Sequence, residues 1–442
     1  MPPPPADATR RYVADAVVTM DGDARILRPG AIEVDGDRLT WVGSPDDAVP
    51  AAGTDVVAVG GLLMPGLVNA HGHSAMTLLR GAGDGLPLDR WLADVIWPRE
   101  ARLTAEDVYW GMLLGSAELL RSGVTTTCEQ YFHPRAVAQA AVESGIRCVL
   151  TPGIFDLPVG GAPVTWQDCL DEAAQLHADV HGRQGRLSIG LGPHSTYAVP
   201  DEGLAAVAKV ATELDALVHI HVAETRSEDD AVRLRLGCSA PELLARLGVL
   251  DCRVLAAHSV WLSDGDLDLF GEFDVAVAHC PQSNCKLGSG VASVPSMLER
   301  GLRVGLGTDG PASNDNLDLW EEMRLAPLLA RGIARDPGAL GTADALGLAT
   351  RLGADALRVE AGSLEAGRLA DFIRLDVDDA AFVPGVSAED ILAHLVWAAS
   401  SRHVTDVWVG GRQIVRDRAC TTVDDAGVRR EVSTRARRLA GV

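Results

Sequence analysis

The chain is 442 residues long, 47% hydrophobic and 23% charged, enough for a large buried core in more than one domain and unlike a disordered chain. Its 61 acidic residues against 39 basic ones give a formal net charge of -22, which opposes binding to nucleic acid or to an anionic membrane. Eight cysteines without a C-x-x-C pair point to a reduced, cytoplasmic protein; no secretory leader and no membrane span are expected from the N-terminal order or from the apolar runs.

In chain order, residues 11–60 read as short strands. Tyr12–Met20 and Ala31–Val42 are rich in β-branched residues, and Asp21-Gly22 and Asp35-Gly36 stand at hairpin spacing. From about 62 to 350 the pattern changes to apolar runs that alternate with amphipathic helical stretches. The predicted strands are Leu62–Ala70, Val124–Glu129, Arg147–Phe155, Leu187–Pro193, Leu217–Ala223, Val254–Ser259, Val275–Cys280 and Val304–Gly307. Helices are predicted over Ala105–Ser122, Glu202–Leu214 and Ala240–Leu247 among others. Near-continuous apolar strands indicate a parallel sheet covered on both faces. Eight such βα units fit an α/β fold, a (β/α)8 TIM-type barrel, with its chemistry at the C-terminal ends of the strands. The last part returns to strands, Asp371–Val377 and Val404–Val415 with a Gly410-Gly411 turn. The expected organisation is therefore a barrel over 62–355 and a small discontinuous β-sandwich built from 1–61 and 356–442, ending in a helix.

Histidines fall at the expected strand ends. His71 and His73 close the first strand, and His194, His221, His258 and His279 follow the fourth to seventh; Asp309 follows the eighth. In a closed barrel these ends meet at one mouth. Alternate residues of a strand face the same side, so His71 and His73 can share one cation, with His221 and Asp309 as further ligands. Three imidazoles and a carboxylate suit Zn2+ with a water in the open position, with Fe2+ as the alternative. Glu224, three residues beyond His221, is then placed as a general acid/base, His258 to orient the water, and Asp309 to accept its proton. Gly305-Leu-Gly-Thr-Asp-Gly310 matches a dinucleotide fingerprint in letters but lacks the helix that must follow it. Neither the P-C-x-x-C of one deaminase class nor the serine-hydrolase elbow is present.

Met64-Pro-Gly-Leu-Val-Asn-Ala-His-Gly-His73, Gly192-Pro-His-Ser195, His221-Val-Ala-Glu224, Ala257-His258, His279-Cys-Pro-Gln-Ser-Asn284, Gly307-Thr-Asp-Gly310 and Gly362-Ser-Leu-Glu-Ala-Gly-Arg-Leu-Ala-Asp371 together resemble the amidohydrolase superfamily. Within it they are similar to the adenosine-type aminohydrolases, the methylthioadenosine/S-adenosylhomocysteine deaminases among them. The resemblance implies one divalent metal on His71, His73, His221 and Asp309, catalytic Glu224 and His258, and hydrolytic release of ammonia from an adenine nucleoside. The two lysines agree with a single metal, because neither Lys209, in a predicted helix, nor Lys286, in a predicted loop, lies on a strand where it could bridge two ions. By the same likeness Trp91 packs near the ribose, Glu100 accepts its hydroxyls and His194 bonds a purine nitrogen. Relatives that take S-adenosylhomocysteine can carry an Arg where this chain has Pro152, so a small or neutral 5′ group is favoured: methylthioadenosine, 5′-deoxyadenosine or adenosine. Guanine, a triazine or a pterin is the alternative substrate, and a non-catalytic barrel scaffold the remote one. The expected partners are a small-molecule substrate and water, with a homo-oligomer common among such proteins.

Overall fold

The computed structural model describes residues 9–156, 158–159, 162–385 and 390–441. Its centre is a parallel barrel of eight strands: Leu67–Gly72, Val124–Glu129, Arg147–Leu150, Leu187–Ile189, Leu217–Val222, Arg253–His258, Ala276–His279 and Val304–Leu306. The first four pair in order, and so do the last four. Two parallel bridges close the ring, Leu191 to Val218 between the fourth and fifth strands and Gly72 to Asp309 between the first and the end of the eighth. The strands are buried on both faces almost throughout, which is why the sequence shows apolar runs instead of alternation.

Helices cover the barrel, and several of them start at a capping side chain. Thr104 Oγ1 accepts the Asp107 N–H while Asp107 accepts the Thr104 N–H, a reciprocal pair that begins Ala105–Arg121. Ser239 with Glu242 and Ser263 with Asp266 begin Ala240–Arg246 and Asp264–Glu272 in the same way. Lys286 departs from expectation: it ends a short helix, Pro281–Lys286, and its ammonium pairs with Asp315 in the segment after the eighth strand.

The predicted first strand divides in two. Leu62–Pro65 belongs to the outer β-layer, and only Leu67–Gly72 belongs to the barrel. At the crossing point a side chain on Gly66 would sit 2.2 Å from Thr125 Oγ1, so the chain passes hard against the second strand where only glycine fits. A continuous apolar run hides this transfer because both layers are buried. The third and fourth predicted strands are likewise interrupted, with Gly153–Ile154 and Gly192–Pro193 pairing as a separate short ladder at the mouth.

The two chain ends build the outer layers. One sheet orders Arg38–Gly43, Gly30–Asp35, Arg10–Ala14 and Asp55–Ala58. The other interleaves Ala16–Val18, Ile26–Leu27 and Leu62–Pro65 with Phe372–Leu375, Val404–Val409, Arg412–Arg416 and Ala419–Cys420. Tyr12, Ile32, Leu39, Leu63, Phe372 and Trp408 form the core between them. Arg147 on the third barrel strand reaches Asp371 through two nitrogens at 2.7 and 3.0 Å, so a buried bidentate ion pair links barrel and sandwich.

Candidate active site and metal centre

The strand ends meet on the floor of a cavity of about 410 Å3 at the barrel mouth. Three imidazoles there share one orientation rule, in which Nδ1 is engaged outward and Nε2 points in. His73 Nδ1 lies 2.6 Å from the Gln130 carbonyl, His221 Nδ1 2.7 Å from the His194 carbonyl, and His71 Nδ1 2.7 Å from Nε2 of His219. A carbonyl only accepts, so His73 and His221 carry their proton on Nδ1 and present bare Nε2 atoms. Asp309 is turned by Ser283 and Ser313, whose hydroxyls donate to Oδ2 at 2.5 and 2.8 Å. Its Oδ1 lies 3.3 Å from Nε2 of both His71 and His73, and the Nε2 atoms of His73 and His221 are also 3.3 Å apart.

That spacing fits a cation. Ligands bound at 2.0–2.2 Å around a tetrahedral ion stand about 3.4 Å from one another. His71 Nε2 is buried with no hydrogen-bond partner among the described residues, and the bare Nε2 atoms of His73 and His221 have no proton to share. Burial pushes His71 down to about 3 and His221 well below the usual histidine value, so both stay neutral, the form that binds metal. Burial opposes the charge on Asp309, yet the close approach of His71 and the neighbouring imidazoles hold it well below the usual carboxylate range. The cluster suits a divalent metal.

Two further groups face this floor. Glu224 accepts from Ser289 Oγ at 3.4 Å and lies 3.8 Å from His258 Nε2. Burial raises its pKa, with His258 opposing, so its carboxyl holds a proton more readily than a free acid. His258 is raised: burial works against its charge, but Glu224 and then Asp309 outweigh it. Its Nδ1–H donates to Asn284 Oδ1 at 2.8 Å, which aims Nε2 into the cavity. The backbone is bent to reach these positions, because Ala223, His258 and Asp309 take φ of 49°, 67° and 57°, left-handed values that L residues seldom adopt.

The wall carries the remaining expected residues. The segment after the first strand is mostly helical, a short turn over Ser74–Leu79 and then Leu88–Glu100 with a π-bulge over Leu92–Ile96. It places Trp91, whose Nε1 donates to the Ala82 carbonyl at 2.9 Å, and buried Glu100 beside the cavity. Tyr131 donates to Glu100 Oε1 at 2.9 Å, and burial raises Glu100 to about 7 against that bond. His194 lines the cavity near His221, with ring centroids 4.6 Å apart. His279 ends the seventh strand as expected but is absent from the wall among the described residues. Sequence reasoning did not single out His219, or the aromatic wall of Tyr131, Phe132, Phe155 and Tyr197. The aromatics stand on short segments without a period, but His219 was legible: it alternates with His221 as His71 does with His73.

The profile of the amidohydrolase family matches residues 62–414. A 5-methylthioadenosine/S-adenosylhomocysteine deaminase of Pelotomaculum thermopropionicum is 40% identical over 428 residues, covering 96% of this chain and 97% of that one. A 5′-deoxyadenosine deaminase of Methanothermobacter thermautotrophicus is 41% identical over 423 residues, 95% of this chain and 97% of that one. Among solved structures, an adenosine deaminase from Xanthomonas campestris with bound zinc superposes with a TM-score of 0.93 at 34% identity, covering 99% of this chain and 100% of that one.

Proposed function

The chain belongs to the amidohydrolase family, and from that premise we propose that it hydrolyses the exocyclic amine of an adenine nucleoside, giving the inosine analogue and ammonia. The observation that carries this reading is the conjunction of four donor groups at cation spacing on the floor of a cavity that also holds a buried carboxyl pair, Glu224 and Glu100. We assign His71, His73, His221 and Asp309 as the ligands of one ion, Zn2+ foremost and Fe2+ as the alternative. When bound, such an ion supplies a hydroxide equivalent at neutral pH by drawing the pKa of water from 15.7 towards about 7.

The protein's own residues supply the proton traffic and the fit. Glu224, protonated more readily through burial, delivers its proton to N1 of the purine, which makes C6 electrophilic. His258, aimed by Asn284, holds the attacking water and steadies the charge that develops beside Glu224. Asp309, its Oδ2 held by Ser283 and Ser313, takes up the proton of the attacking water on Oδ1 and passes it to the departing amine. Glu100 receives the ribose hydroxyls, Trp91 packs against the sugar and His194 bonds a purine nitrogen.

The cavity also bears on the 5′ group. Tyr131, Phe132, Phe155 and Trp97 line it, and no Arg or Lys does among the described residues. An amino-acid carboxylate placed there would lack a cation and be costly to desolvate. Methylthioadenosine, 5′-deoxyadenosine and adenosine are therefore placed ahead of S-adenosylhomocysteine. The test is a panel of adenine nucleosides, guanine and a triazine, followed by ammonia release and by the absorbance change from adenine to hypoxanthine. Turnover of nucleosides with uncharged 5′ groups is expected, with loss of about 10^2-fold or more in metal-replete Glu224→Gln. Ammonia from guanine or a triazine alone would overturn the substrate reading.

A further inference from the structure

Of the three imidazoles assigned as ligands, two are pinned by backbone carbonyls and one by a side chain. His71 is the exception, and its Nδ1 lies 2.7 Å from Nε2 of His219. His219 is fully buried, and its other nitrogen, Nδ1, lies 2.9 Å from Thr151 Oγ1. Thr151 Oγ1 in turn lies 3.1 Å from the carbonyl of Glu129. We propose that His219 is a positioning residue: it holds His71 in the tautomer whose Nε2 lone pair is free for a divalent cation, and so sets how tightly the site holds that ion.

The direction of the chain follows from its far end. The Glu129 carbonyl only accepts, so the Thr151 hydroxyl donates to it and offers its lone pairs to His219. His219 then carries its proton on Nδ1, donates to Thr151, and leaves Nε2 as an acceptor. His71 must donate into that acceptor from Nδ1. Its Nε2 is left bare, buried and without a protein partner among the described residues. Reversing every proton would instead put an N–H on His71 Nε2, facing Asp309 Oδ1 at 3.3 Å, an arrangement that excludes metal from this nitrogen. Cys128 Sγ, 3.4 Å from His219 Nδ1, adds a weak acceptor on the same side.

An ordinary core role accounts poorly for this residue. Barrel interiors are filled by branched apolar side chains, and an imidazole in that layer has two polar atoms to satisfy. Here both are used, one on a metal-facing histidine and one on a hydroxyl anchored to the next strand. Partners of metal-binding histidines fix ring and tautomer, and their loss commonly costs about 10–100-fold in metal affinity.

The inference rests on His71 being a ligand, and the experiment separates the two statements. Zinc affinity is measured by chelator competition for wild type, His71→Ala, His219→Phe, His219→Gln and Thr151→Val, with the unfolding midpoint of each metal-free protein as the control for folding. The absorption bands of the Co2+-loaded forms report ligand geometry. His219→Phe keeps the ring volume but cannot accept from His71, and should bind zinc about 10–100-fold more weakly with altered Co2+ bands. Gln can accept with its oxygen and donate with its nitrogen, so it should recover most of the affinity; Thr151→Val should fall between. Wild-type affinity in His219→Phe, or equal loss in the Phe and Gln variants with metal-free midpoints unchanged, overturns the positioning role. Unchanged affinity in His71→Ala instead overturns the ligand assignment beneath it.

Discussion

Glu100 is a carboxylic acid whose proton is held by its surroundings. Its pKa lies at about 7 because burial disfavours the anion, with Tyr131 pulling the other way. In the unfolded chain it returns to about 4.5. The folded protein therefore binds this proton more tightly than the unfolded one. Below pH 4.5 both states are protonated and the stabilising contribution is complete; it is lost as pH rises through about 7, by at most roughly 3 kcal/mol. Glu100→Gln removes the titration. In metal-replete samples its unfolding free energy should gain on wild type between pH 4.5 and 8 and then run parallel. On the proposal that Glu100 receives the ribose hydroxyls, the same variant should raise KM for the nucleoside by about tenfold or more above pH 7, where the wild-type carboxylate is charged. At this scale the clustering of His71, His73, His221 and Asp309 was legible because a site for a cation draws on a few side-chain types at fixed strand positions. Ser283 and Asn284 stood in a recognised motif, but their targets, Asp309 and His258, come from other strands and only the fold brings them together.

Barrel strands were visible as apolar runs, and five of the eight were found within a residue; the third and fourth were run on into the short ladder at the mouth, and the first was joined to a strand of another layer. What marks its end is steric, the close passage of Gly66 over Thr125, and not composition. A second close passage bears on the site. A side chain on Gly307, just past the eighth strand, would sit 2.8 Å from His71 Cβ and 2.9 Å from Cys280 Sγ. Gly307→Ala has no flexible neighbour to displace there, since one obstacle is the first strand's own backbone. The substitution should cost about 1–3 kcal/mol in chemical denaturation and weaken retention of an added divalent metal, because the displaced ring belongs to the cluster. A variant with wild-type stability and metal retention would show that the two strands have slack.

At the scale of the molecule, composition indicated a barrel with β-rich ends, but not how the ends attach. One buried point of attachment is Arg147 with Asp371, exposed by only 6% and 0% and joined by two hydrogen bonds. Asp371 also accepts the Gly410 N–H at 2.6 Å, and Arg147 donates to the Gly185 carbonyl at 2.6 Å. Asp371→Ala leaves a guanidinium buried without its anion and should destabilise the protein by about 3–5 kcal/mol. On the proposal that 1–61 and 356–442 form one unit beside a barrel of 62–355, limited proteolysis of this variant should cut first near residues 61 and 356. A loss under about 1 kcal/mol would mean that water or another group already screens the pair.

The ring of eight strands is fastened at its last joint by the backbone pairing of Gly72 with Asp309, and Asp309 is also the carboxylate that faces the imidazoles. An ion seated there would act as a rivet through the joint. Occupancy and closure then rise and fall together, and a chelator should loosen the scaffold along this line before it loosens it anywhere else.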